Sequence, residues 1–178
     1  MTVLAIAGSL RAASSNAALV RAVAALAPDG LAVRVYEGLG DLPLFSPDLD
    51  VDPAPAPVAA LRSAVRAADA VLICTPEYAY GMPGALKNAL DWLVSSGELY
   101  GKPVAALSGS PSVGGGERAL GWLCQTLAAL GAAVPDDASF SVPFVKRVLD
   151  GDRVADEATA NQLRSALGRL AEAATQKA

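Results

Sequence analysis

Residues 70–92, AVLICTPEYAYGMPGALKNALDW, predict a buried strand, a loop and a helix in direct succession. Residues 70–74 are all small or branched and apolar, which is typical of a strand buried on both faces of a parallel sheet. Thr75-Pro76 ends the strand because proline cannot donate to a sheet ladder. Pro83-Gly84 opens the helix, since the first helical turn does not need the missing N–H of proline. The loop follows the carboxyl end of a strand, where open α/β sheets bind ligands.

The same alternation of strand and helix runs through the rest of the chain. Apolar runs predict further strands at residues 3–7, 31–36 and 103–107, with 132–134 and 139–142 as weak candidates for a fifth. Apolar residues at helical spacing predict helices at residues 19–26, 58–68, 120–130 and 163–174. The pattern predicts a three-layer α/β/α sandwich around a five-stranded parallel sheet in the order 2-1-3-4-5.

Length and composition limit the classes of protein that fit. The chain has 178 residues, which predicts one domain over residues 1–178 with a sizeable core. Hydrophobic residues make up 53% of it, yet no uninterrupted apolar run approaches the ~20 residues of a membrane span. Residues 1–8 lack a basic n-region and are predicted to form the first strand rather than a signal peptide. We therefore expect a cytoplasmic protein with no membrane partner.

Charge and residue types exclude several kinds of site. A net charge of −4 without a basic run argues against nucleic acid as a main partner. The chain has no histidine, which excludes histidine-based triads and zinc sites, and we predict no metal site. Cys74 and Cys124 fall in a predicted strand and a predicted helix. Both are expected to be buried apolar residues rather than a disulfide or a ligand pair.

Between residues 38 and 57 the periodic pattern is lost. Six of the 12 prolines lie between residues 28 and 57, and the composition is that of a surface loop. Loops of this length inside a compact domain are usually functional or mobile. In the helix that follows, Arg62 and Arg66 are predicted to lie on the solvent face.

The loop after the first strand, GSLRAASSN at residues 8–16, has the groups that a phosphate needs. It feeds a helix N-terminus, where unpaired N–H groups and the positive end of the helix dipole favour an anion. It matches neither the Walker loop nor the three-glycine dinucleotide fingerprint, so a terminal phosphomonoester fits best. The alternative is that Ser15 or Asn16 only caps the helix and Arg11 is a solvated surface charge. The candidate ligands are Ser9, Arg11, Ser14, Ser15 and Asn16.

In the predicted topology, the loop at residues 76–81 lies in the same cleft as the first loop. Glu77 is its only carboxylate and Tyr78 and Tyr80 are its aromatic residues, which suits a planar apolar ligand rather than a hydrolytic centre. The alternatives are a surface or helix-start charge for Glu77 and simple packing for the tyrosines. A third loop, residues 108–116, ends in three glycines that allow a close approach to a ligand, or that form only a flexible turn.

These residues resemble the NAD(P)H-dependent FMN reductase family of flavodoxin-like proteins, which includes quinone, chromate and azo-dye reductases. Gly8-Ser9-Leu10-Arg11 with Ser15-Asn16 is similar to the phosphate loop of that family. The segment from Pro76-Glu77-Tyr78 to Asp91-Trp92 is similar to its flavin-loop signature. The family usually has asparagine where Ala79 stands, and often serine where Gly81 stands. The resemblance implies a flavodoxin-like fold that binds FMN without a covalent bond.

The resemblance also implies a role for each loop. The first loop would hold the phosphate, the second would line the isoalloxazine ring and ribityl chain, and the third would flank the ring. The residues implied in the second loop are Pro76, Glu77, Tyr78, Ala79, Tyr80 and Gly81. In the third loop, residues 108–116 would flank the ring, with Ser108, Gly109, Ser110, Gly114 and Gly115 as the candidate ligands.

The function that the resemblance implies is a two-electron oxidoreductase. NADPH or NADH would pass hydride to FMN, and a small acceptor such as a quinone would take the electrons, with no protein acid or base required. Two alternatives stay open: a flavodoxin-type electron carrier and a non-catalytic FMN-binding regulatory module.

The oligomeric state is also predicted. Trp92 and Trp122 lie off the leucine stripes of their helices, which indicates an interface or a position at the edge of the core. We predict a homodimer with Trp92 near the contact, and the resemblance implies a homodimer or homotetramer.

Overall fold

The computed structural model describes residues 1–177, and its centre is a five-stranded parallel sheet. The strands are β1 (Thr2–Ala7), β2 (Ala32–Tyr36), β3 (Ala70–Thr75), β4 (Val104–Gly109) and β5 (Phe140–Val142). Their spatial order is β2-β1-β3-β4-β5, and each neighbouring pair is parallel. Every residue of β3 and β4 is buried, as expected for central strands covered on both faces. The structure therefore confirms the predicted strand order.

Helices cover both faces of the sheet. They are α1 (Ser15–Ala25), α2 (Ala56–Ala67), α3 (Gly84–Asp91), α4 (Glu117–Ala129), α5 (Val145–Val148) and α6 (Glu157–Lys177). Leucines of α1 and α6 pack on one face of the sheet, and apolar residues of α2, α3 and α4 pack on the other. Alternate residues of each strand enter these two cores because side chains on a strand alternate between its faces. None of the helices within residues 1–177 has both the length and the apolar character needed to cross a membrane.

The elements after β4 differ from the prediction in detail. The fifth strand is at 140–142, within one of the two candidate segments, whereas Ala133 makes only an isolated bridge to Pro103. The short helix α5 and a hairpin of β6 (Leu149–Asp150) and β7 (Arg153–Val154) were not predicted. Elements of two to four residues are too short to show a hydrophobic period.

The indole of Trp92 is fully buried in the α2–α4 core, so the prediction that this residue lies near a subunit contact is wrong. Trp92 directly follows α3, which ends at Asp91, and residues 43–45 cover its side chain. The Trp92 indole N–H donates to the carbonyl of Pro43 at 2.9 Å, and the Phe45 ring packs edge-on at 5.0 Å between centroids. The Asn88 side chain adds bonds to the same segment, donating to Pro43 and accepting from the Phe45 N–H.

The segment at residues 38–57 lies mostly at the surface, as predicted, and packs on the core through a few of its side chains. It contains two short 3₁₀ turns, Gly38–Asp41 and Pro47–Leu49, and it buries Leu39 and Leu42. Its packing also overturns the solvent-facing prediction for Arg62, whose side chain is only 13% exposed. That guanidinium pairs with Asp50 at 2.8 Å and donates to the carbonyl of Trp92.

Arg66 lies on the solvent face, as predicted, with a side chain that is 70% exposed. It pairs with the buried carboxylate of Glu98 at 2.8 Å, between their Nη2 and Oε1 atoms.

Trp92 is buried and Trp122 is exposed, so we expect substitution by phenylalanine to affect stability differently at the two positions. Trp92→Phe removes the indole bond to Pro43 and part of the packing, so we expect it to lower the free energy of unfolding by about 1–3 kcal/mol. Trp122 is 61% exposed, so Trp122→Phe is expected to change that free energy by less than about 0.5 kcal/mol. Urea unfolding followed by far-UV circular dichroism measures both, and equal losses would contradict the assignment.

Candidate functional site

A cleft of about 290 Å³ opens at the carboxyl ends of β1, β3 and β4, where the three predicted loops meet. The predicted site residues that line it are Ser9, Arg11, Ser14, Ser15, Asn16, Pro76, Glu77, Tyr78, Gly109 and Ser110. The structure therefore brings together most of the first loop, the start of the second and the start of the third.

Six residues from the same prediction are not part of the lining: Ala79, Tyr80, Gly81, Ser108, Gly114 and Gly115. Pro111, which lies within the third loop expected to flank the ring, is also part of the lining, and Val145 and Lys146 complete it and were not predicted. Lys146 belongs to α5, directly beyond β5. The sequence signal for Lys146 was the basic pair Lys146-Arg147 shortly after a strand end. Because the position of the fifth strand was ambiguous in the sequence, this pair could not be assigned to the cleft edge of the sheet.

The first loop ends in a capped helix. Ser14, not Ser15 or Asn16, is the N-cap of α1, and its hydroxyl accepts from the N–H of Ala17 at 3.2 Å. Because the first N–H groups of a helix lack intrahelical acceptors, the N-terminus of α1 presents donors at this end of the cleft. The Arg11 guanidinium is exposed beside it, and the backbone N–H of Arg11 donates to Ser9 Oγ at 3.3 Å.

The side-chain amide of Asn16 is buried and bonded within the protein. Its Nδ2 donates to the carbonyl of Gly109 at 2.9 Å, and its Oδ1 accepts from the Gly109 N–H at 3.0 Å. The same oxygen accepts from the thiol of Cys74 at 3.1 Å. Burial raises the pKa of the Cys74 thiol far above its usual range, so the thiol keeps its proton and acts as the donor. The amide of Asn16 therefore joins the start of α1 to the ends of β3 and β4.

The second loop is a tight turn. Tyr78 and Gly81 exchange two backbone hydrogen bonds, of 2.9 and 3.0 Å, and the residues between them have positive φ angles. These are Ala79 at 49° and Tyr80 at 66°, in the left-handed region that favours glycine and asparagine. The Tyr78 hydroxyl shares a hydrogen bond of 3.3 Å with Ser9, which connects this turn to the first loop.

The carboxylate of Glu77 points to α4. Its Oε2 accepts from the backbone N–H groups of Arg118 and Ala119, both at 3.1 Å. The contacts match the helix-start charge that was the alternative for this residue, although the helix is α4, about 40 positions further along the chain.

The glycines of the third loop are required by packing. Gly115 and Gly116 have φ angles of 61° and 89°, and a Cβ on Gly115 would lie 2.8 Å from the backbone nitrogen of Pro143. The hydroxyl of Ser108 donates to the carbonyl of Gly115 at 2.8 Å and shares a second hydrogen bond, of 2.9 Å, with the hydroxyl of Ser141. These residues therefore shape the loop from behind the cleft wall.

The two ends of the cleft differ in charge. Arg11, Lys146 and the N-terminus of α1 make one end positive, with hydroxyls from Ser9, Ser15 and Ser110 nearby. Glu77 is the single carboxylate among the lining residues, and its hydrogen bonds direct it to a second helix N-terminus. This donor set suits a phosphomonoester, and the flanking Pro76 and Tyr78 offer an apolar surface beyond it.

The region that contains this cleft is similar in sequence to known proteins. Residues 1–147, which include every residue of the cleft lining, match the family model of NADPH-dependent FMN reductases. A quinone reductase of Escherichia coli strain K12 is 36% identical over 177 residues, which cover 97% of this chain and 94% of that protein. An NAD(P)H-dependent FMN reductase of Pseudomonas aeruginosa is 41% identical over 127 residues, covering 70% of this chain and 68% of that protein.

A solved structure agrees over the whole fold. The flavoenzyme FerB of Paracoccus denitrificans, an NAD(P)H:(acceptor) oxidoreductase, superposes with a TM-score of 0.85 at 31% sequence identity. The superposition covers 98% of this chain and 97% of that one.

Proposed function

This chain belongs to the NADPH-dependent FMN reductase family, and from that membership and its cleft we infer that it is an NAD(P)H-dependent FMN oxidoreductase. We propose that its acceptor is a small molecule of the quinone class, which the name of the Escherichia coli quinone reductase supports. The observation that carries the inference is the positive cleft end at the N-terminus of α1, which lies inside the region matched by the family.

The cleft fits FMN at its phosphate end. Arg11 and Lys146 supply positive charge, the N-terminus of α1 supplies backbone donors, and the hydroxyls of Ser9 and Ser15 line the same wall. The Ser14 hydroxyl already caps α1, and the Asn16 amide is bonded to Gly109. We therefore assign Ser14 and Asn16 a role in shaping the loop, and we assign the phosphate to the other four side chains.

The remaining walls suit the ring and the ribityl chain. Pro76, Glu77 and Tyr78 form one side, and Gly109, Ser110 and Pro111 form the other. Tyr78 is 52% exposed and Tyr80 is 63% exposed, so aromatic surface is available around the mouth of the cleft. We propose that the backbone of the second loop, rather than the short side chain at Ala79, contacts the ring.

FMN, when bound, would supply the redox chemistry: a hydride, two electrons and one proton, would pass from NADPH or NADH through it to the acceptor, and the second proton that a quinol needs would come from solvent. The chain's own residues bind the phosphate, orient the ring and leave one side of the cleft open to both substrates. No side chain needs to move a proton, which agrees with a cleft in which Glu77 is the single carboxylate and is already hydrogen-bonded. The names of the relatives favour this enzyme over a flavodoxin-type carrier or a regulatory module.

An absorption spectrum tests the proposal. FMN is added to the purified protein under anaerobic conditions, followed by NADPH or, in a parallel sample, by NADH. We expect one of them to bleach the protein-bound flavin, and we expect benzoquinone to restore the oxidised spectrum. Bound flavin that resists both nucleotides would indicate a carrier or regulatory module instead, and failure to bind FMN would overturn the proposal.

Arg11→Ala tests the phosphate assignment. Loss of the guanidinium is expected to raise the Kd for FMN by about tenfold or more, because a charge-assisted bond to the phosphate is removed. Riboflavin lacks the phosphate, so its affinity should stay unchanged. The matched control is Arg34→Ala, which removes an exposed arginine on β2. Flavin fluorescence titration measures the affinity of the unaltered protein and of both variants for each ligand, and an equal loss for FMN and riboflavin in Arg11→Ala would contradict the assignment.

We further propose that the protein is a single FMN-binding domain over residues 1–178 and forms a homodimer. Trp122 and Tyr80 support an interface beside the cleft, since both are more than 60% exposed and a Cβ on Gly81 would lie 3.5 Å from the Trp122 ring. The cytoplasmic location stays a prediction from the sequence.

Light scattering at micromolar concentration tests the oligomeric state. We expect a mass of twice the 18.0 kDa of one chain, or four times that mass for a tetramer. A monomer would contradict the proposed interface, and Trp122→Ala is expected to shift the equilibrium towards monomer.

A further inference from the structure

The N-terminus of α4 receives its cap from a distant part of the chain. Gly116, the residue before α4, has a φ of 89° and no side chain to cap the helix. The first N–H groups of a helix need acceptors from outside the helix. Glu77 provides one, since its Oε2 accepts from Arg118 and Ala119 at 3.1 Å. A carboxylate at this position also interacts favourably with the positive end of the helix.

Further contacts join the same turn to the same helix. The Arg118 guanidinium carbon lies 4.1 Å from the centroid of the Tyr80 ring, which is a cation–π distance. Gly81 faces the ring of Trp122, where a Cβ would lie 3.5 Å from that ring. The turn at residues 78–81 therefore packs against α4, from the flanking Glu77 to Gly81.

The turn depends on such support because its own residues do not favour its shape. Ala79 and Tyr80 both have left-handed backbone angles, which are unfavourable for residues other than glycine and asparagine. Pro76 and Tyr78, which flank Glu77, line the cleft. Any change in the position of Glu77 therefore moves the cleft wall itself.

We propose that Glu77 is a positioning residue for the flavin: its carboxylate fixes the second loop on the N-terminus of α4 and so holds the cleft wall in the shape that receives the ring. The proposal rests on the inferred FMN chemistry of this cleft. It also places a fixed negative charge in the wall beside the flavin. Such a charge disfavours electron uptake, because reduction adds negative charge to the ring.

Two substitutions at Glu77 and one matched control separate positioning from simple helix capping. Glu77→Ala removes the cap, and Glu77→Gln keeps its size and one acceptor oxygen but removes the charge. Glu117→Gln is the control, because Glu117 is an exposed carboxylate in the first turn of α4 and has no hydrogen bond to the second loop among the described residues. For each holoprotein, the Kd for FMN, the midpoint potential of bound FMN and the melting temperature are measured.

We expect Glu77→Ala to raise the Kd for FMN by about tenfold, and Glu77→Gln to raise it less. We expect Glu77→Gln to make the midpoint potential more positive, with no such shift for Glu117→Gln. Where Glu77→Ala does not fold, Glu77→Gln carries the test alone. Unchanged affinity and potential with a lowered melting temperature would show that Glu77 is only a helix cap, and would overturn the inference. Failure of the unaltered protein to bind FMN would instead overturn the proposed function.

Discussion

The amide of Asn16 is the contact on which the geometry of the cleft depends. It bonds Gly109 in both directions, at 2.9 and 3.0 Å, and accepts from the buried thiol of Cys74. One side chain at the start of α1 therefore fixes the ends of β3 and β4 relative to the first loop. A Cβ on Gly109 would lie 3.0 Å from Asn16 Oδ1, so only glycine leaves space for this bond. Buried polar groups left without partners cost about 1–3 kcal/mol each, so the arrangement is strongly favoured over alternatives.

The neighbouring loops pack around that contact with little free space. Gly8 donates its N–H to the carbonyl of Cys74 at 2.8 Å, and a Cβ there would lie 2.8 Å from a methyl group of Leu86 in α3. The first and second loops are thus held together at the point where the sheet order reverses between β1 and β3. The position of the positive end of the cleft follows from this geometry, because Asn16 anchors the start of α1. The backbone N–H donors at the N-terminus of α1 are therefore already oriented towards the cleft in the absence of a ligand.

Much of this could be predicted from the sequence, and the failures share a physical cause. Local periodicity in the sequence identifies strands that are buried on both faces and long helices that carry a stripe of leucines. The predicted strand order and main helices were therefore correct. Contacts between distant segments leave no such pattern. The indole of Trp92 is buried because residues 43–45 fold over it, and Arg62 is covered by the same region of chain. The ten predicted residues that line the cleft lie at strand ends, in the loops that follow them or at the start of α1, whereas Lys146 reaches the cleft from an element too short to detect.

The turn at Ala79 shows how tertiary contacts replace local preference. Asparagine, which the family usually has at this position, tolerates left-handed backbone angles because its short polar side chain bonds locally. Ala79 has no such side chain, yet its φ of 49° keeps the left-handed conformation. Contacts elsewhere in the fold must therefore stabilise the left-handed conformation of the turn. Glu77 and Arg118 provide such contacts between the turn and α4. In this chain the shape of the second loop depends on its contacts with α4 as much as on its own residues.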